Sequence, residues 1–187
     1  MNVLTLAPAT SSWDVVGPDG RRGRDESAPF LDLVVDGVSL RRRFGLHEQQ
    51  TVLQRRSWAP PSEDVEASVR RLCGFDVPPP SFASSAGPRA GRLFRRPRPP
   101  TAPWATAFED GRVTLSYCPC GDLDCGALST RVEVGEREVR WCEVAVQVTY
   151  ESVDLEEQLT LSFTFARDAY EGVMTPLLER DWRLPVA

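Results

Sequence analysis

Alternation of apolar and polar positions is cleanest in the last third of the chain. Leu159-Thr-Leu-Ser-Phe-Thr-Phe165 places an apolar side chain at every second position, the period of a strand with one buried face. Val139-Arg-Trp-Cys-Glu-Val-Ala-Val-Gln-Val-Thr-Tyr150 is rich in β-branched and aromatic residues and reads as a second strand, entered through a turn at Gly135-Glu-Arg-Glu138. Arg112 to Tyr117 and Ala127 to Val134 read as two more, and the four together predict an antiparallel sheet. The period then lengthens. Tyr170, Val173, Met174, Leu177 and Leu178 form one face of a helix that Asp168 would cap. Pro176, with no N–H for the carbonyl of Gly172, should kink or shorten that helix.

Nearer the N-terminus, Leu31-Asp-Leu-Val-Val reads as a strand, Asp36-Gly37 as a hairpin turn, and Val38-Ser-Leu-Arg as the returning strand. A helix is predicted from about Pro61 to Cys73. Ser62 would cap it, Glu63 and Asp64 sit in its first turn, Val65, Val69 and Leu72 form its apolar face, and Gly74 stops it. Residues 1–28 are rich in Gly, Pro, Ser and charge and read as a flexible segment, with Gly17-Pro-Asp-Gly-Arg-Arg-Gly23 a loop. Residues 77–104 hold eight prolines, five arginines and no acidic residue, which predicts an extended linker or surface loop. The expected fold class is therefore α+β: an antiparallel sheet with one or two packed helices and a Pro/Arg-rich surface loop. Residues 29–76 (strand hairpin and helix) and 105–187 (sheet and C-terminal helix) should form one domain.

Composition narrows the chemistry. The 187 residues suffice for one hydrophobic core. No apolar run approaches the roughly 18–20 residues that cross a bilayer, and the first residues lack a basic lead, so a cytoplasmic protein is expected. All 22 basic residues are arginine. Without lysine the chain has neither a Schiff-base amine nor the lysine of a phosphate-binding loop, and His47 is its one histidine. Five cysteines, an odd number in a reducing compartment, point to thiols or metal ligands rather than a disulfide framework.

Three of them stand in Cys118-Pro-Cys120-Gly-Asp-Leu-Asp-Cys125-Gly, and Cys142 follows on a predicted strand. Cys118, Cys120, Cys125 and Cys142 form the candidate metal set, since structural zinc favours tetrahedral sulfur ligation. A zinc knuckle, however, spaces its cysteines by two residues, whereas only Pro119 separates Cys118 from Cys120, and no second knuckle follows. Two other readings stay open: thiols packed as small apolar groups around a turn shaped by Gly121, Asp122, Asp124 and Gly126, or a redox pair. Asp122 and Asp124, like Asp154, Glu156 and Glu157, lack calcium-loop spacing. Trp58, Trp104, Trp141 and Trp182 read as core or edge anchors, and Cys73 as a buried thiol at a helix end.

Tyr117-Cys-Pro-Cys-Gly-Asp-Leu-Asp-Cys-Gly-Ala127, Arg131-Val-Glu-Val, Val139-Arg-Trp141, Phe163-Thr-Phe and Tyr170-Glu-Gly-Val together resemble an uncharacterised actinobacterial family. Its members carry a CGDxxCGA cysteine core, a strand ending in tryptophan and a terminal FxFDxxxYE segment, and are sometimes labelled oxidoreductases. This chain spaces its first two cysteines by one residue rather than two and has Asp124 where glycine is usual. The absence of a dinucleotide fingerprint or paired catalytic carboxylates favours a non-enzymatic protein-binding module, for instance an immunity or regulatory partner, with no cofactor or one structural zinc. The net charge of −5 suits a basic partner protein. The alternative is a thiol-dependent oxidoreductase using Cys118, Cys120 and Cys125. Nucleic-acid binding through the arginine-proline segment is disfavoured by the acidic balance.

Overall fold

Asp36 and Gly37 both take left-handed backbone, with φ of 52° and 75°, which is what a two-residue hairpin turn matched to strand twist demands. They join β4 (Phe30–Val35) to β5 (Val38–Ser39), with Val35 opposite Val38. The computed structural model in which they lie describes residues 1–54, 61–75, 108, 110–120, 125–148, 155 and 158–181; of 61–64 and 66 only the backbone is considered. The 77–104 segment, Trp58, Trp104, Trp182, Asp122, Asp124, Asp154, Glu156 and Glu157 lie outside these residues.

The returning strand is shorter than its alternation suggests. Ser39 Oγ accepts from the backbone N–H of Arg42 at 3.5 Å and starts a helical turn, α1 (Leu40–Arg43). The first 28 residues also depart from expectation, because they hold three strands: β1 (Leu4–Ala9), β2 (Ser12–Val16) and β3 (Arg22–Glu26). β1 pairs antiparallel with β4, from Leu4 opposite Val35 to Ala9 opposite Phe30. β2 and β3 form a separate hairpin closed by Gly17–Gly20, so the glycine-rich stretch is partly turn and partly strand. Every residue of β3 is exposed, so its backbone pairs without burying an apolar face, and no periodicity marks it in the sequence.

The main sheet runs β10-β9-β8-β7-β6, all antiparallel. Its strands are β6 (Gln50–Thr51), β7 (Val113–Tyr117), β8 (Ala127–Val134), β9 (Glu138–Gln147) and β10 (Leu161–Ala166). A smaller sheet has the order β1-β4-β5. Two seams join them. Asn2 bridges to Phe165 beside β10, and Phe30 bridges to Gln54 just beyond β6. The backbone bonds Asn2 N–H to Thr164 O (2.7 Å) and Leu31 N–H to Leu53 O (2.9 Å) close the ring at both places. Among the described residues, antiparallel sheets with three helices make the fold α+β, as the pattern predicts.

Two longer helices complete the core: α2 (Pro61–Leu72) and α3 (Arg167–Leu178). Pro61 occupies the first helical position, where its missing N–H costs nothing. Cys73 and Gly74 end α2. Gly74 N–H bonds Arg71 O and Phe75 N–H bonds Arg70 O, both at 2.9 Å, the pair of bonds that closes a helix through a left-handed glycine. In α3 the capping residue is Ala166, with no side-chain cap, and Asp168 sits in the first turn instead. Pro176 falls in the last turn, and the helix ends two residues beyond it at Leu178, where the sequence places its end. Tyr170 ties the layers together: its hydroxyl donates to Leu72 O at 2.8 Å and accepts from Trp141 Nε1 at 3.0 Å. Trp141 and Phe165 pack against its ring, and Leu115, Leu128, Val69, Leu72 and Met174 are buried in the same core. Among the described residues no helix is long and apolar enough to cross a membrane.

Gly74 has φ +80°, and a Cβ there would lie 2.4 Å from Val134 Cγ2. Gly74→Ala is therefore expected to cost about 2 kcal/mol, from left-handed strain and displacement of Val134, measured as a lowered urea midpoint at unchanged slope.

Candidate metal centre

β7 and β8 end in register, Tyr117 opposite Ala127. The chain that leaves one strand at Cys118 must re-enter the other through Cys125 and Gly126, from backbone positions about 5 Å apart. β7 stops at Tyr117, so Cys118 and Cys120 lie on the turn rather than along a continuing strand, and the turn brings their thiols together. Cys120 Sγ is 3.1 Å from Cys118 Sγ and 3.4 Å from Cys125 Sγ, and all three sulfurs lie within 4.8 Å of one another. Cys118 is half-buried, while Cys120 and Cys125 are exposed. An ion holding sulfurs at about 2.3 Å in tetrahedral array needs them roughly 3.7 Å apart, so Cys120 would have to draw back by about 0.6 Å from Cys118 and about 0.3 Å from Cys125. The group could hold a metal.

Cys142 is not part of it. It faces Arg131 across β8 and β9, five positions along the strand from Gln147, the partner of Ala127. At about 3.3 Å per residue that is roughly 16 Å from the turn. Its thiol pKa is raised by burial and by Glu133 and Glu143. Cys73, half-buried at the end of α2, is pushed up to about 11 by burial and by Glu171. His47 is exposed in the turn between α1 and β6, and its backbone carbonyl accepts from Arg41. Among the described residues no second group of three metal-ligating side chains forms.

Two of the three thiols, Cys118 and Cys125, are held in their neutral form. Burial raises the pKa of Cys118, and the hydrogen bond with Cys120, then burial and the neighbouring sulfurs, push Cys125 up to about 12. At neutral pH both are protonated and weakly nucleophilic without a metal.

The residues that brace this turn carry no signal in the sequence. Gln49, 6% exposed, donates from Nε2 to Gly126 O at 2.8 Å and accepts from Ser116 Oγ at 2.6 Å. Arg41 pairs with Asp32 at 3.2 Å, both buried, lies over the Phe30 ring at 5.0 Å, and donates to Gln49 O at 3.2 Å. Away from the turn, just before the other end of β7, fully buried Arg112 donates to Ser129 Oγ and Ser129 O, both at 3.0 Å, and to Glu143 O. Glutamine and arginine in a polar stretch read as surface residues, and only the folded neighbours reveal otherwise. Compared with known proteins, the chain matches no protein-family model, no curated protein and no solved structure.

Proposed function

We propose that the turn binds one zinc ion through Cys118, Cys120 and Cys125, and that the protein is a non-enzymatic binding module whose recognition of another protein uses the zinc-ordered turn. The observation that carries this reading is the convergence of three sulfurs, two of them exposed, at the end of a strand pair. Thiolate ligation suits zinc, and three protein sulfurs leave one tetrahedral position to be completed from outside the trio. The raised pKa of Cys118 and Cys125 speaks against either of them as the nucleophile of a thiol enzyme, which needs a lowered pKa. The resemblance of the cysteine core to the actinobacterial family is compatible with it.

The test is zinc content and accessible thiols in the freshly purified full chain. One zinc per chain with three protected thiols is the expected result, while metal-free protein with freely reacting thiols would overturn the proposal. Zinc must displace at least the protons on Cys118 and Cys125. Affinity should therefore fall at least about 100-fold for each pH unit below neutrality, tenfold for each proton displaced. Cys120→Ser should abolish stoichiometric zinc.

A thiol oxidoreductase is the second reading, favoured by the 3.4 Å approach of exposed Cys120 and Cys125. Reduction of a model disulfide that disappears in Cys125→Ala would establish it instead.

A further inference from the structure

The cysteine spacing poses a problem that its own turn does not solve. In a knuckle, two residues between the cysteines fold the backbone so that both sulfurs face one point, whereas here only Pro119 intervenes. The missing constraint comes from the neighbouring strand. Gln50 pairs with Tyr117 and Thr51 with Ser116, so the next position along this edge sets Gln49 beside Cys118. Its side chain reaches across both strand ends, to Ser116 on the approach to Cys118 and to Gly126 immediately after Cys125.

The orientation of the amide follows from chemistry. A backbone carbonyl only accepts, so the group facing Gly126 O must be the NH2, and the amide oxygen is left for the Ser116 hydroxyl. Gln49 is itself held, since its N–H donates to Leu46 O at 3.2 Å and its carbonyl accepts from Arg41, which is fixed by Asp32. A rigid, buried amide thus sets the distance between the two ends of the turn that carries all three sulfurs.

We infer that Gln49 is the positioning residue of this metal site: it fixes the mouth of the cysteine turn through Gly126 and Ser116 and so sets metal affinity without supplying a ligand atom. The inference rests on the zinc reading above. It also makes the coupling reciprocal, so zinc in the turn should tighten the β6 edge that Gln49 precedes, where Val52 N–H bonds Leu115 O at 3.1 Å.

The experiment measures zinc affinity of the full chain by competition with a chromophoric chelator, for wild type, Gln49→Met and Thr130→Val. Methionine keeps the length of glutamine and removes both hydrogen bonds. Thr130→Val removes a buried hydroxyl that donates to Cys142 O at 3.0 Å, and controls for general destabilisation. Gln49→Met is expected to bind zinc 10- to 100-fold more weakly, the loss typical of residues that orient metal ligands, while Thr130→Val stays within about threefold of wild type. Zinc should slow hydrogen exchange at the Val52 amide in wild type and not in Gln49→Met. Equal affinity of Gln49→Met and wild type would overturn the positioning role and leave the zinc reading standing. Failure of wild type to bind zinc would overturn both. Should Gln49→Met not fold, Ser116→Ala removes one leg of the brace and keeps the glutamine. It is expected to weaken zinc severalfold, and unchanged affinity there would count against the role.

Discussion

Trp141→Ala is expected to lower the unfolding free energy by about 4 kcal/mol, the middle of the range for emptying a large aromatic from a packed core. Trp141 is fully buried, edge-on to Phe165 with ring centroids 5.2 Å apart and to Tyr170 at 6.1 Å, so the void would open where β9, β10 and α3 meet. Its Nε1–H also donates to the Tyr170 hydroxyl, which in turn holds the last carbonyl of α2. Trp141→Phe separates the two contributions. It keeps much of the ring and deletes the donor, and about 2 kcal/mol is expected. Urea unfolding measures both, as a shift in midpoint at constant slope. Against the about 5–15 kcal/mol that holds an ordinary domain together, the alanine variant stands near the limit of folding. A loss below about 1 kcal/mol would show that the sheet and helices collapse into the gap.

Arg112→Met should cost about 3 kcal/mol, although methionine fits the space and the position precedes a strand. Arginine satisfies three acceptors here: Ser129 Oγ, Ser129 O and Glu143 O. Its Nη1 lies 3.5 Å from Glu143 Oε2, an ion pair in which neither atom makes a hydrogen bond. Burial lowers the pKa of the guanidinium, and Asp110 and Glu143 oppose that shift. Removing the side chain takes a donor from Ser129 Oγ, Ser129 O and Glu143 O at once, a larger loss than the ion pair, since Glu143 is part exposed and keeps Arg131 at 3.7 Å. Arg112→Lys should recover little, because one ammonium cannot reproduce the fork. The same unfolding measurement checks both variants, and a lysine variant as stable as wild type would show that charge alone matters.

Much of the fold is legible where a side-chain period coincides with burial. β8 runs from Ala127 to Val134 and α3 reaches Leu178, as their patterns indicate, because apolar residues on one face must be covered. The Asp36-Gly37 turn is legible for a different reason: few residues accept left-handed backbone. The N-terminal strands are not legible. β1 includes Pro8 and is held by pairing with β4, and β3 buries nothing, so backbone hydrogen bonds alone define it. Cys118, Cys120 and Cys125 are recognisable from proximity in the chain, whereas Cys142 is misassigned because only strand register reveals how far it stands from the turn.

The cysteine turn was therefore determined by the sequence as a candidate for soft-metal chemistry: thiols are the ligands, five residues bring them near, and no lysine or neighbouring histidine offers another use. Tertiary structure decided which cysteines belong to it and what holds it open. Register across β8 and β9 removes Cys142, and closure of the strand ring carries Gln49 to Gly126 and Ser116, partners 77 and 67 positions away in the chain. Local sequence encodes chemistry and short-range geometry, but a contact between residues far apart exists only once the apolar faces have been buried together.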